Sequence, residues 1–192
     1  MKIFIVRHGE TDRNKNHIVQ GRADVPLNDT GRKQALAIAP YLKGKHFDAL
    51  ITSNLSRSIE TGDILSKTCF MKQKRIDERL IERDLGVIDG LTIEQRHRLY
   101  PDKENVPGRE PIQAVQQRML SALHEYASQY ENDILVVGHG NAILCLLQAL
   151  DDAYLGMNMQ IQNCAFIILD EKLNILAYNV MGKEIDRWLS SV

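Results

Sequence analysis

Apolar positions are not spread evenly along the chain. Three short runs, at 3–6, 49–51 and 134–137, are rich in β-branched residues and too short for helices. Each predicts a buried strand. Between them the apolar residues fall into helical spacing. Ala35, Ile38, Ala39 and Leu42 share one side of a helix over about 28–42, capped by Asn28 or Thr30 and ended early or kinked by Pro40, with Gly44 as the stop. Further helices are predicted at about 55–67, 93–100 and 142–150. The clearest helical period runs over 111–130, where Ile112, Val115, Met119, Leu120, Leu123 and Tyr126 face a core. A short strand at 74–77 and two more at 163–169 and 173–178, joined by the turn 170–172, complete the pattern. Strands alternating with helices predict an α/β fold with a central, mostly parallel sheet and helices on both faces, one strand near the C-terminus being free to run antiparallel.

The polar residues that end these runs carry the chemistry. The first stops on Arg7, His8 and Gly9, and the third on Gly138, His139, Gly140 and Asn141 just before a helix. The second leads through Thr52, Ser53 and Asn54 into a helix with Arg57 in its first turn. Open α/β sheets bind ligands at the carboxyl ends of their strands, and a helix N-terminus beside an arginine favours an anion. One histidine ending a strand is ordinarily a hydrogen-bonded core residue. Two in the same setting are harder to explain that way.

Composition narrows the partners. The 192 residues carry 24 basic and 25 acidic side chains, so any positive field must be local, and neither nucleic acid nor a membrane is an expected partner. No run reaches spanning length and the start lacks the pattern of a signal peptide, so a cytoplasmic protein is expected. Cys69, Cys145 and Cys164 are irregularly spaced and read as buried apolar residues in a reducing compartment. Without C-x-x-C or H-E-x-x-H patterns, no metal is predicted.

Four landmarks in order, R-H-G-E-T at 7–11 with Asn14, S-N-L-S-R-S-I-E-T at 53–61, Glu82 ahead of Gly86 and Gly90, and G-H-G-N at 138–141, resemble the histidine phosphatase superfamily, which includes the cofactor-dependent phosphoglycerate mutases. The resemblance implies a phosphoglycerate mutase-like three-layer sandwich, one domain over 1–192 with a small cap at about 92–111. It implies His8 as the nucleophile forming a phosphohistidine, with Arg7, Arg57 and His139 around the phosphoryl group and Glu82 as proton donor. Glu78, Asp84 and Asp89 compete with Glu82, and the spacing to Gly86 selects it. Burial would help to keep Glu82 protonated for that role. Asn14, Gln20, Gly21, Arg22, Gly140 and Asn141 become the substrate-binding set. Of Arg96, His97, Arg98, Lys103 and Arg109 in the cap, one or two are expected to face the pocket.

Within the superfamily, Glu82 is followed by Arg83-Asp84-Leu85-Gly86 where mutases have Arg-His-Tyr-Gly, and Ile93 stands about where mutases place a lysine. The expectation is a metal-independent phosphatase acting on a small phosphorylated metabolite and releasing inorganic phosphate, with no cofactor. A phosphoglycerate mutase and a non-catalytic phosphate-binding module are the alternatives, and monomer and homodimer both stay open.

Overall fold

The computed structural model describes residues 1–155 and 160–189. In chain order the elements are β1 (Lys2–Arg7), α1 (Asp12–Lys15), α2 (Asp29–Ile38), β2 (His46–Thr52), α3 (Ser56–Leu65), β3 (Phe70–Ile76), α4 (Ile93–Leu99), α5 (Ile112–Gln129), β4 (Ile134–Gly138), α6 (Gly140–Leu150), β5 (Phe166–Asp170), β6 (Ile175–Val180) and α7 (Glu184–Leu189). They build a six-stranded sheet in the order β3-β2-β4-β1-β5-β6. The first four in that order are mutually parallel, and β5 is antiparallel to both β1 and β6.

Alternation along the strands feeds two cores. Ile3, Ile5, Ile51, Ile134 and Val136 point to one face, where Val115, Met119 and Leu123 of α5 and Leu146 of α6 cover them. Phe4, Val6, Leu50, Leu135 and Val137 point to the other, against Ala35 and Ile38 of α2, Leu65 of α3, and Ile185 and Leu189 of α7. All these side chains are at most 4 % exposed, so each face removes its apolar stripe from water.

The elements follow the predicted pattern with informative differences. Asn28 caps α2 by accepting from the Gly31 amide, and the α-helix stops at Ile38. A 3₁₀ turn, Ala39–Leu42, absorbs Pro40, and Gly44 closes it at φ +73°. β3 starts four residues earlier than predicted because it is an edge strand with mostly exposed side chains and so no apolar period to read. β5 starts three residues later, since Asn163 belongs to the loop ahead of it. Leu189 packs into the core and Trp188 lies against it. Cys145 and Cys164 are buried, Cys69 is half-buried, and all three are free.

The segment from α4 to α5 lies beside the sheet's carboxyl edge on a small cluster of its own. Val106 packs with Leu85 and Ile88, flanked by Val19, Leu91 and Tyr100. Among the described residues, no helix is long and apolar enough to cross a membrane.

Candidate active site

Parallel pairing sets the site. Arg7 of β1 is in register with Gly138 of β4, and Thr52 of β2 with Val137. The next residue of each strand, His8, His139 and Ser53, therefore emerges on one edge. The His8 amide donates to the Gly138 carbonyl at 3.1 Å, continuing the ladder one step beyond the strand. The imidazoles of His8 and His139 end 5.2 Å apart between ring centres, at 54°. After β1 the chain turns against the start of α2 so closely that a side chain on Gly9 would meet the Gly31 carbonyl oxygen at 2.5 Å.

Hydrogen bonds define the two rings. His8 Nδ1 lies 2.7 Å from the Gly9 carbonyl oxygen, which can only accept, so Nδ1 carries the hydrogen and Nε2 keeps the lone pair. Asn163 donates to the His8 carbonyl at 2.9 Å. His139 Nε2 is 2.7 Å from Ser53 Oγ, and its Nδ1 is buried without a hydrogen-bond partner among the described residues. Burial first, and then the cations Arg7 and Arg57, hold His8 well below the ordinary histidine pKa. His139 is lowered well below it too, by burial first and then by His8, Arg57 and Arg7.

The two arginines differ in how their donors are used. Arg7 gives Nη1 to the Ile161 carbonyl, while its Nε is buried with no hydrogen-bond partner among the described residues. It lies against the first turn of α6, where a side chain on Gly140 would come within 3.3 Å of that Nε. Arg57 is fully buried and donates to the carbonyls of Gly21 and Ala23, both at 2.8 Å. With the Gln20 amide turned to satisfy both neighbours, Gln20 accepts from Arg57 Nε at 2.9 Å and donates to Thr11. Burial pulls the Arg57 pKa down to about 10, which leaves it charged at neutral pH.

Glu82 is 3 % exposed, in the loop after β3. Its carboxylate accepts from the amides of Arg83 and Ala142 at 2.8 Å and of Asn141 at 3.1 Å, two of these three belonging to the first turn of α6. Arg118 of α5 steadies the loop by donating to the carbonyls of Arg79 at 2.7 Å and Ile81 at 2.6 Å. The same guanidinium holds Glu110 at 3.0 Å through both Nε and Nη2, and Glu110 accepts from the Asp84 amide on the far side of Glu82.

A cleft of about 790 Å³ opens over this edge. Of the residues singled out from sequence, Arg7, His8, Asn14, Gln20, Glu82, Gly140 and Asn141 line it. His139 and Arg57 stand immediately behind, fully buried. Gly21 is packed against Leu85 and Asp89 rather than facing the cleft. Arg22 is largely exposed; it donates to the Glu82 carbonyl at 3.2 Å and to Glu110 at 3.1 Å, which makes it a brace for the loop. Of the basic residues at 92–111, three rather than one or two reach the cleft, Arg96, Lys103 and Arg109, whereas His97 and Arg98 are exposed. Ser53, Ile161, Asn163, Arg83 and Glu104 were not singled out as site residues. Ser53 was legible as the residue after a strand end, but the others reach the site through loop geometry that leaves no sequence period.

Comparison with known proteins shows the family. The chain matches the model of the histidine phosphatase superfamily, branch 1, over residues 3–181. It is 34% identical to the uncharacterized phosphatase PhoE of Bacillus subtilis, covering 93% of this chain and 94% of that one. It is 32% identical to the probable phosphoglycerate mutase GpmB of Cronobacter sakazakii, covering 88% and 85%. The solved structure of Bacillus stearothermophilus YhfR superposes with a TM-score of 0.84 at 25% identity, over 96% of this chain and 98% of that one. With strand ends, paired imidazoles and family model in agreement, this chain belongs to branch 1 of the histidine phosphatase superfamily.

Proposed function

We propose that the protein hydrolyses small phosphomonoesters by passing the phosphoryl group through His8. One observation carries this reading. A neutral imidazole with its Nε2 lone pair free lies beside two buried nitrogens without a hydrogen-bond partner among the described residues, Arg7 Nε and His139 Nδ1. Buried polar atoms are nearly always hydrogen-bonded, so two orphans around one nucleophile mark the place of missing acceptors. Phosphoryl oxygens are acceptors with the charge that these donors suit.

In this mechanism Nε2 attacks the phosphorus in line, the N–P bond forms, and the P–O bond to the alcohol breaks. Glu82 gives its proton to the departing oxygen. Water then attacks the phosphohistidine, loses a proton to Glu82, and releases inorganic phosphate and neutral His8. The Ser53 hydroxyl, by donating to His139 Nε2, leaves the proton on Nδ1 for a phosphoryl oxygen. Arg57, with its donors taken up by backbone carbonyls, contributes fixed positive charge and holds the loop at 20–24 in place. The scheme calls for no metal, since side chains supply nucleophile, charge and proton.

Acid-labile, base-stable phosphate trapped on His8 during turnover of an aryl phosphate is the expected result. Label found on another residue, or undiminished in His8→Ala, would overturn the reading. The likeness to GpmB favours a mutase as the second reading. It predicts that 2,3-bisphosphoglycerate primes interconversion of phosphoglycerates, and phosphate release without interconversion decides against it.

A further inference from the structure

Strand β1 lies between β4 and β5, and its end is held differently on the two sides. Toward β4 the ladder runs one step past the strand, with the His8 amide donating to the Gly138 carbonyl. Toward β5 the main-chain bonds stop at Arg7, whose amide donates to the Ala165 carbonyl at 3.1 Å and whose carbonyl accepts from the Cys164 amide at 2.9 Å. Two residues of one segment thus oppose one of the other, which is a bulge. Cys164 takes a φ of +62° in it, and the Ala165 amide donates back to the Gln162 carbonyl, closing a tight turn. The left-handed region suits glycine, yet Cys164 is fully buried among apolar side chains, so packing holds a strained residue in place here.

Asn163 is the second residue of that turn, and its neighbours fix which way its amide lies. Its nitrogen is 2.9 Å from the His8 carbonyl oxygen and, at a longer 3.4 Å, from the Asn14 side-chain oxygen. Both are acceptors, so this end of the amide is the NH2. The Asn14 oxygen also accepts from the Thr11 amide at 3.3 Å. With its oxygen engaged twice, Asn14 has its own NH2 left to offer, and that group has no hydrogen-bond partner among the described residues although Asn14 lines the cleft. Closing the loop does not explain Asn163. The bulge and the bond from Arg7 Nη1 to the Ile161 carbonyl already tie 161–165 to β1, and both donors of Asn163 go to residues of the site instead.

We propose that Asn163 is a positioning residue for phosphoryl transfer, aimed by the bulge at Cys164. It holds the main chain of His8 and orients the Asn14 amide so that the free NH2 of Asn14 serves a phosphoryl oxygen. This deepens the phosphatase reading and rests on it for the part given to His8. Bulges beside active sites re-aim side chains, and strain persists where it serves such a purpose.

The test uses Asn163→Ala, which removes the donors without adding charge, and Asn163→Asp, which keeps the shape and so the packing should the first variant fold poorly. Two quantities are measured on each: kcat/KM for 4-nitrophenyl phosphate, and the Kd of inorganic phosphate by calorimetry. The expectation is a loss of about 30-fold in kcat/KM, carried mainly by kcat, because small displacements of reacting groups cost up to about 10²-fold. Phosphate should bind severalfold more weakly. In an Asn14→Ala background the loss from Asn163→Ala should shrink to about a third or less, since the route through Asn14 is already gone. Phosphate affinity needs no phosphohistidine, so label found on another residue would end the nucleophile reading and leave this arm standing. Label on His8, with both variants within twofold of wild type in both quantities, would overturn the proposal alone. Losses that multiply independently in the double variant, or that vanish once rates are divided by the folded fraction, would overturn it as well.

Discussion

The cleft has two ends built on different principles. At the phosphate end, His8 and His139 sit one residue beyond neighbouring parallel strands, and the ladder between β1 and β4 fixes their separation. At the other end, Arg83, Arg109 and Glu104 come from loops and Arg96 from a seven-residue helix, beside a cluster of only three buried apolar side chains. The first end is rigid because moving either imidazole means breaking the sheet. The second can be reshaped by a few loop residues. On the proposed function, this difference ties the reaction to backbone geometry and the choice of substrate to replaceable side chains.

The largest expected effect breaks the phosphate end alone. His8→Ala should lower turnover of 4-nitrophenyl phosphate by about 10⁴-fold or more, as removal of a nucleophile does elsewhere, with thermal unfolding little changed. Residual turnover within tenfold of wild type would mean that another group is the nucleophile. Arg57→Ala should follow, with a loss of about 10²–10³-fold in kcat/KM, the size typical of a removed preorganised charge. It should also speed proteolysis near 20–24, because the carbonyls of Gly21 and Ala23 lose their donor.

The third prediction separates the two ends by pH. His8 and His139 are held well below the pKa of about 6.5 that they have when unfolded, so below pH 6.5 the unfolded chain binds protons that the folded chain refuses. Their contribution to stability is complete above that pH and is lost as pH falls. The slope should reach about 1.4 kcal/mol per pH unit for each histidine. Urea midpoints measured from pH 7.5 to 5 should show it, and His139→Gln should flatten the slope; a slope unchanged in that variant would remove His139 as a source.

Positioning of Glu82 gives a smaller effect. Arg118→Met, which frees the carbonyls of Arg79 and Ile81 and leaves Glu110 without its bidentate partner, should lower kcat for an alkyl phosphate by about tenfold, or ~1.4 kcal/mol of lost positioning. An aryl phosphate, whose leaving group needs little help from an acid, should lose much less. Equal losses on both would indicate a general structural role. Smallest is Asn28→Ala, which removes the cap of α2 and should cost about 1 kcal/mol of stability by denaturant melt with little change in kcat.

The same contrast explains what could be read from the chain. The runs at 3–6, 49–51 and 134–137 became β1, β2 and β4 because strands buried on both faces announce themselves as apolar runs. Their terminal residues therefore belong on one edge by pattern alone. Glu82 stands out in the sequence by its spacing to Gly86, which takes a positive φ of 59°. What stayed hidden lacks a period. The exposed edge strand β3 begins four residues before its predicted start. Asn163 and Ile161 reach the site from an irregular loop, and the carbonyls that Arg57 holds are backbone groups present in every residue. Glu104 sits in a proline-broken, charged segment where any carboxylate reads as solvated, and only its two buried partners distinguish it.

Because β5 runs against β1, its last residue, Asp170, lies level with Lys2, at the rim of the sheet farthest from the imidazoles. The tight connection from there to β6 is the natural splice point for an epitope tag or fluorophore. A probe anchored at that hairpin would track the molecule in a cell extract or on a surface while its chemistry proceeds undisturbed on the other side.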